Sequence, residues 1–358
     1  MTLSRLVVRL LLALALALAL PSACSLGGPG DETGARPDEA AERDAWESGD
    51  ASHDAAGDPG GDPGGDPASE PGQGHYPPTA TPQQVTALAQ VNRFRTACGL
   101  PTVDEEEALN FAAQAHAEFI VKNCANYANS GLSPHNEDPG WPGFTGVNFW
   151  DRTAHFGYQG MGGAEIIAFV NNPTLAVSGW MDTLYHRLPI TDPATVEIGY
   201  GNAGLGGGAP CGNPMLRKAD VIDSGSGAVK GDPIVLYPPA GAVAIPRSFD
   251  GYESPQPPAP PGGYPSGYIV TVQFGKKIGF EVEGHRILEA GTTPLPHVFL
   301  APFADPEHDV RRDGLLDNAL ALYAHEPLAA KTDHTVVIDL IRGGKPLKLE
   351  WTFRTGAQ

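Results

Sequence analysis

Two incompatible hydrophobic periods share this chain, and one gives way to the other near Pro233. Before it, apolar residues recur at helical spacing. After it, they alternate with polar ones or sit in proline-rich stretches. A pattern of period 3.6 does not settle as a strand, nor a pattern of period 2 as a helix. The chain must therefore build two architectures. In the first, Thr81-Pro82-Gln83-Gln84 forms a capping box with proline at the first helical position. That helix is expected to run to about Ala97 and stop at Gly99. A second helix is expected from Asp104, with Leu109, Ala112, Ala113, His116 and Ile120 as its stripe. Residues 134–163 read as loop with a helical turn around 151–156, and AEIIAF as an apolar helical turn. Asn172-Pro173 opens a further helix that carries Trp180. Glu197–Tyr200 and Ala219–Asp223 are candidate strands. Helices interleaved with a few strands predict a layered α/β or α+β domain over 79–228.

The second architecture begins in YPPAGAVAIP and YESPQPPAPPGGYP. Short alternating runs follow at 269–274, 279–283 and 297–300. HTVVIDLI and PLKLEWTF flank RGGK, a glycine-containing hairpin turn. Leu347, Leu349, Trp351 and Phe353 alternate with Lys348, Glu350, Thr352 and Arg354, giving one buried and one wet face. Residues 229–358 are read as an immunoglobulin-like β-sandwich.

Charge and composition set the surroundings. The net charge of −19 excludes a nucleic-acid footprint. Residues 25–80 hold thirteen acidic and two basic side chains, and GDPGGDPGGDPA repeats every four residues. Such a segment cannot bury enough surface to offset its ordering entropy, so 24–78 is expected to be a disordered tether. A coil of that length spans on the order of 40 Å. At the other end, Arg5 and Arg9 precede an apolar run from Leu10 to Leu20. That is the pattern of a secretory signal peptide, expected over 1–23, and the run is too short for a mature membrane span. LPSAC resembles a bacterial lipobox, with Cys24 the lipidated residue. Pro21 replaces the usual aliphatic residue there, which keeps cleavage by the ordinary signal peptidase open. Export permits disulfides. Cys98 and Cys124 flank one predicted helix and are the expected pair, worth roughly 3 kcal/mol for a loop of about 25 residues. Cys211 is then left over, although three cysteines alone do not fix a pairing.

Chemistry-bearing residues concentrate in the first domain. His135 lies in SPHNEDPGWPGFTG, Glu165 in GGAEIIAF and His186 in WMDTLYHR. His116 is read as a core-edge residue, and Arg187 as a helix-end cap or carboxylate partner. There is no HExxH helix, no G-x-S-x-G elbow and no phosphate loop.

The succession VNRFRTACGLP, AAQAHAEF, SPH, AEIIAF, WMDTLYHR and EIGYG resembles the bacterial branch of the CAP superfamily, the cysteine-rich secretory protein, antigen 5 and pathogenesis-related group. The likeness covers roughly residues 80–225. It implies an α-β-α sandwich with a central cleft of histidines and acidic residues, where some members bind divalent metal. By motif, His135 and His186 fall on the cleft histidines and Glu165 on an acidic position. Thr183 stands where many members carry a second glutamate. Two imidazoles and a carboxylate can ligate zinc, or another divalent ion, with an open position. The same trio suits acid–base work or a network that pins loops together. The expectation is an exported, lipid-anchored envelope protein that binds a small molecule, lipid, metal or envelope ligand. It attaches to the membrane through its N-terminal lipid, not through a transmembrane helix. The alternatives are a metal-assisted or histidine-based hydrolase and a purely structural protein.

Overall fold

Helix α1 (Pro82–Ala97) starts where the capping box places it, with the Thr81 side chain accepting from the Gln84 amide. It ends at Cys98, and Gly99 takes the left-handed conformation that glycine adopts at low cost. The computed structural model describes residues 74–207 and 211–357. The expected signal peptide, Cys24 and most of the expected tether lie outside the described residues. The described residues all fall within one compact unit.

After α1 the chain departs from the expected helix start. Asp104–Glu105 is a short strand, β1, and helix α2 runs from Glu107 to Lys122 with Glu106 as its cap. Helices α3 (Cys124–Ser130) and α4 (Phe149–His155) follow. AEIIAF is not helical. It belongs to strand β2 (Met161–Ala168), which pairs with a later strand and places Glu165 opposite Asp223. A short apolar run does not distinguish strand from helix. The β-branched pair Ile166-Ile167 decides it by burying one residue in each of two cores. Helices α5 (Pro173–Asp182) and α6 (Arg187–Thr191) precede β3 (Thr195–Gly204) and β4 (Lys218–Ser226).

The sheet order is β1-β3-β4-β2, parallel only between β1 and β3. Ile166, Ile198, Tyr200 and Ile222 face α1 and α5, while Ile167 and Val221 face α2. This is the expected α-β-α sandwich. EIGYG has a packing reason. A Cβ on Gly199 would stand 2.0 Å from the Leu109 carbonyl carbon, and one on Gly201 would stand 2.1 Å from the Gln114 nitrogen. Only glycine lets α2 lie directly on β3.

The rest of the chain is all β. Strands β5 (Ile234–Tyr237), β6 (Ser248–Phe249), β7 (Ser266–Gly267) and β8 (Val270–Phe274) come first. They are followed by β9 (Phe280–Glu289), β10 (Thr293–Pro294), β11 (His297–Ala301) and β12 (Val310–Arg312). Last come β13 (Ala319–Ala324), β14 (Asp333–Arg342) and β15 (Lys345–Arg354). Two sheets, β10-β9-β14-β15 and β12-β11-β13-β8-β5, bury their inner faces together. The predicted hairpin is β14–β15, in register from Asp333–Arg354 to Arg342–Lys345. Trp351 and Phe353 point inward as their alternation requires.

The two architectures do not meet at a bare linker. One continuous apolar core holds Leu88, Val177 and Trp180 together with Tyr237, Tyr268 and Val270.

The expected Cys98–Cys124 disulfide is not formed. Cys124 pairs with Cys211, and Cys98 is free. Cys98 packs with the α1 side of the sheet, whereas Cys124 and Cys211 pack with the α2 side. The sheet separates the pair that sequence adjacency suggested. The bond spans 87 residues, for which chain entropy predicts about 4–5 kcal/mol. Urea unfolding of Cys211→Ala should show a loss of that order, while Cys98→Ala changes stability by less than about 1.5 kcal/mol. Equal losses in the two variants would contradict the pairing.

Candidate functional site

Glu165 sits at the centre of a buried charge network that four segments assemble. Its Oε1 accepts from His135 Nδ1 at 2.8 Å, and its Oε2 accepts from Arg152 on α4. His116 on α2 reaches within 3.8 Å of the same oxygen. The His116 ring lies between two acceptors, with Nδ1 at 2.9 Å from Glu137 Oε1 and Nε2 at 2.9 Å from the Pro134 carbonyl. A ring protonated on both nitrogens satisfies that geometry. Glu137 also accepts from the Thr145 amide at 2.7 Å and the Gly146 amide at 3.3 Å. The side chains of His116, Glu137 and Arg152 are fully buried.

Charge balance explains the arrangement. Burial opposes ionising Glu165, yet His116, the His135 hydrogen bond and Arg152 together hold its carboxyl well below the usual range. Asp223, opposite it on β4, is pushed the other way, first by burial and then by the Glu165 charge. The Asp223 side chain is buried and no donor reaches its oxygens, as suits a neutral acid whose own O–H turns to Glu165.

His186 is held by a different carboxylate. Its Nδ1 donates to Glu253 Oε1 at 2.8 Å. The backbone amides of Leu184, Tyr185 and His186 donate to the same carboxylate at 2.8, 2.6 and 3.0 Å. Successive amides of this kind make an anion-binding concavity, and Glu253 from the β region fills it. Thr183 lacks a carboxylate, and the histidine receives one from outside its own domain. Beside it, Arg187 is fully buried. It donates from Nε to the Met181 carbonyl and from Nη1 to the Ile269 carbonyl, and it stacks over the Tyr237 ring at 4.4 Å. Of the two roles expected of it, Arg187 takes the helix-end cap, since Met181 lies in the last turn of α5, and among the described residues no carboxylate forms an ion pair with it.

A cleft of about 380 Å³ lies between the sandwich and the β region, and His135, Glu165 and His186 all line it. The fold therefore brings the three predicted residues to one cleft but not to one metal point. Among the described residues, no three His, Cys, Asp or Glu side chains group so as to hold an ion. Glu165 is occupied by His135 and Arg152, and His186 by Glu253. The residues present do not fit a zinc, or another divalent ion, held by His135, Glu165 and His186. A guanidinium takes the place that a cation would need.

Arg152, Glu137, Asp223 and Glu253 escaped the sequence reading. None lies at a recognisable ligand spacing, and Glu253 sits in a proline-rich loop. His116 was visible as part of a helical stripe, but its spacing says only that it faces inward.

Residues 88–209 match the family model of CAP, the cysteine-rich secretory protein family. The chain matches none of the curated proteins. The matched segment is a CAP domain, and it contains His116, His135, Glu137, Arg152, Glu165 and His186, but neither Asp223 nor Glu253.

The Asp223 carboxyl has a testable linkage. An acid whose folded pKa is raised contributes most below its unfolded value and loses that contribution as pH rises towards the folded value. Asp223→Asn should therefore lose less stability than the parent between pH 4 and pH 7, compared by urea unfolding at both values. Parallel pH profiles for the two proteins would contradict a neutral buried Asp223.

Proposed function

We propose that this is an exported binding protein whose CAP domain, closed on one side by the β region, holds a small polar ligand. The observation that carries the reading is the cleft itself. His135 and His186 both line it, each with Nδ1 committed to a carboxylate. Nδ1–H donation leaves Nε2 as an acceptor for a ligand. The His135 side chain is 44% exposed and that of His186 16%, so both are within a ligand's reach. A cleft of this size falls in the range of small-molecule sites.

Displacing Arg152 from Glu165 is not a plausible route to binding. Breaking a buried ion pair costs roughly 3–5 kcal/mol. That is as much as the whole binding energy of a millimolar ligand, about 4 kcal/mol. The ligand instead meets the network at the outer ring of His135. Export is supported by the Cys124–Cys211 disulfide and by the secretory family that the CAP domain matches. No described helix is long and apolar enough to cross a membrane. Attachment through a lipid on Cys24 belongs to the same proposal.

The second reading is a hydrolase, favoured by the carboxylate–histidine pairing, which also orients a general base. Among the described residues, no serine, threonine or cysteine side chain hydrogen-bonds to Nε2 of either histidine. The binding reading therefore comes first.

Ligand-observed NMR against a library of polar metabolites separates the two. Compounds that saturate the parent protein should bind His135→Ala at least tenfold more weakly, with no turnover and with its circular dichroism unchanged. Conversion of a bound compound by the parent would replace the binder with the hydrolase. Unchanged binding in His135→Ala would move the ligand elsewhere.

A further inference from the structure

We propose that the cleft selects a donor-rich organic cation, an ammonium or guanidinium group. This inference rests on the binding reading above and names the chemistry of its ligand.

Hydrogen-bonding capacity at the cleft wall is unbalanced towards acceptors. The protein spends its own donors internally. Asn318 Nδ2 donates to the Phe274 carbonyl at 2.5 Å, and Ser224 Oγ to the Ala164 carbonyl at 3.0 Å. Thr195 Oγ1 donates to the Pro189 carbonyl at 2.8 Å, and the Tyr185 hydroxyl to Asp313 at 2.5 Å. These four residues all line the cleft. What remains is mainly acceptor capacity, beside the second N–H of the Asn318 amide and of the Gln273 amide, each of which has one bond to a carbonyl. The two histidines keep Nε2, and Asn318 keeps Oδ1. Asp192 has only its Oδ1 engaged, by the Ala194 amide at 2.8 Å. The hydroxyls of Ser226 and Ser254 can serve either way.

The charges agree with that count. Glu165, Asp192 and Asp317 line the cleft, and among the described residues no lysine or arginine does. Arg152 lies buried behind Glu165. Lys277 pairs with Asp317, but both side chains are mostly exposed, 72% and 64%. Exposed pairs of this kind contribute little, so a ligand cation can take the place of the lysine. An anionic ligand would have to bring its charge beside Asp192 and Asp317, with Arg152 already committed to Glu165 and Lys277 to Asp317. The apolar residues of the wall, such as Leu188 and Leu315, are interspersed with these polar groups. They suit the methylene stem of an amine better than a long acyl chain.

An ammonium or guanidinium group reaches the cleft as a free amine or as a basic side chain in a peptide. Calorimetric titration of the full chain with agmatine and with the peptide Gly-Arg-Gly distinguishes these sources. Glucose serves as a neutral polyol and propionate as an anion. Saturable binding of agmatine or Gly-Arg-Gly is expected, and the tighter of the two identifies the source. Asp192→Asn and Asp317→Asn should each weaken it at least tenfold. Asp333→Asn, on the exposed face of β14, should leave it unchanged and so exclude a general effect of the −19 net charge. Both cleft variants alter partly or largely exposed side chains, and circular dichroism confirms that they fold. Binding of glucose or propionate without the cations would overturn this inference and leave the binding reading standing. Silence from all four probes would overturn this inference and leave the binding reading to the metabolite screen. Equal affinity in the parent and in both aspartate variants would overturn the assignment to this cleft.

Discussion

A carboxylate from one half of the protein is seated on the backbone of the other. Glu253 receives the amides of Leu184, Tyr185 and His186 and the ring of His186, all within 3.0 Å. Its side chain is completely buried. A buried anion is costly unless it is fully hydrogen-bonded, and four donors meet that requirement here. Arg187 lies next in the chain and is also buried. It is accommodated by the carbonyls of Met181 and Ile269 and by the faces of Tyr237 and Tyr268. Tyr268 adds a bond to Asp182 at 2.8 Å, and Thr191 one to Gln273 at 2.9 Å. Residues 180–191 thus form the joint between the CAP domain and the β region. The apolar core continues across it.

The cleft follows from that joint. Without the β region, His186 would lose its carboxylate, and Gln273, Asp317 and Asn318 would be missing from the wall. The other side of the cleft depends on how closely helix α2 approaches β3. Gly199 and Gly201 admit the helix backbone, and the helix brings His116 to Glu137 and Glu165. Arg152 and His116 then keep Glu165 ionised inside the protein, while Asp223 gives up its charge. His135 stands at the mouth, oriented by a carboxylate that it cannot easily leave. A short chain of causes links two glycines to the presentation of one imidazole.

Local signals in the sequence were legible where the responsible atoms are close in the chain. The capping box at Thr81 is complete within four residues, and the β14–β15 hairpin is specified by its own alternation and glycine turn. His135, Glu165 and His186 were singled out by the motifs around them, and all three line one cleft. The strand at Glu165 was not legible, because an apolar run of that length fits either period, and only pairing with β4 resolves it. The disulfide was not legible either. Cys98 and Cys124 are near in sequence, but a sheet stands between their cores. Glu253 is the clearest case. It lies 67 residues from His186 in a proline-rich loop, and nothing local marks it as the partner that the histidine needs. Arg187 could be seen as a charge at a helix end, but its burial depends on two tyrosines from the other half of the chain.

The turn at Leu184–Arg187 and Glu253 make the CAP domain and the β region one cooperative unit. Differential scanning calorimetry of the full chain, beside Glu253→Gln, tests it most directly. The account predicts a single transition in the parent, with a calorimetric to van't Hoff enthalpy ratio of about one. Glu253→Gln should lower that transition or split it in two, since glutamine offers one acceptor oxygen and no charge to the same four donors. Two independent transitions in the parent, or a Glu253→Gln scan that overlays it, would contradict the claim.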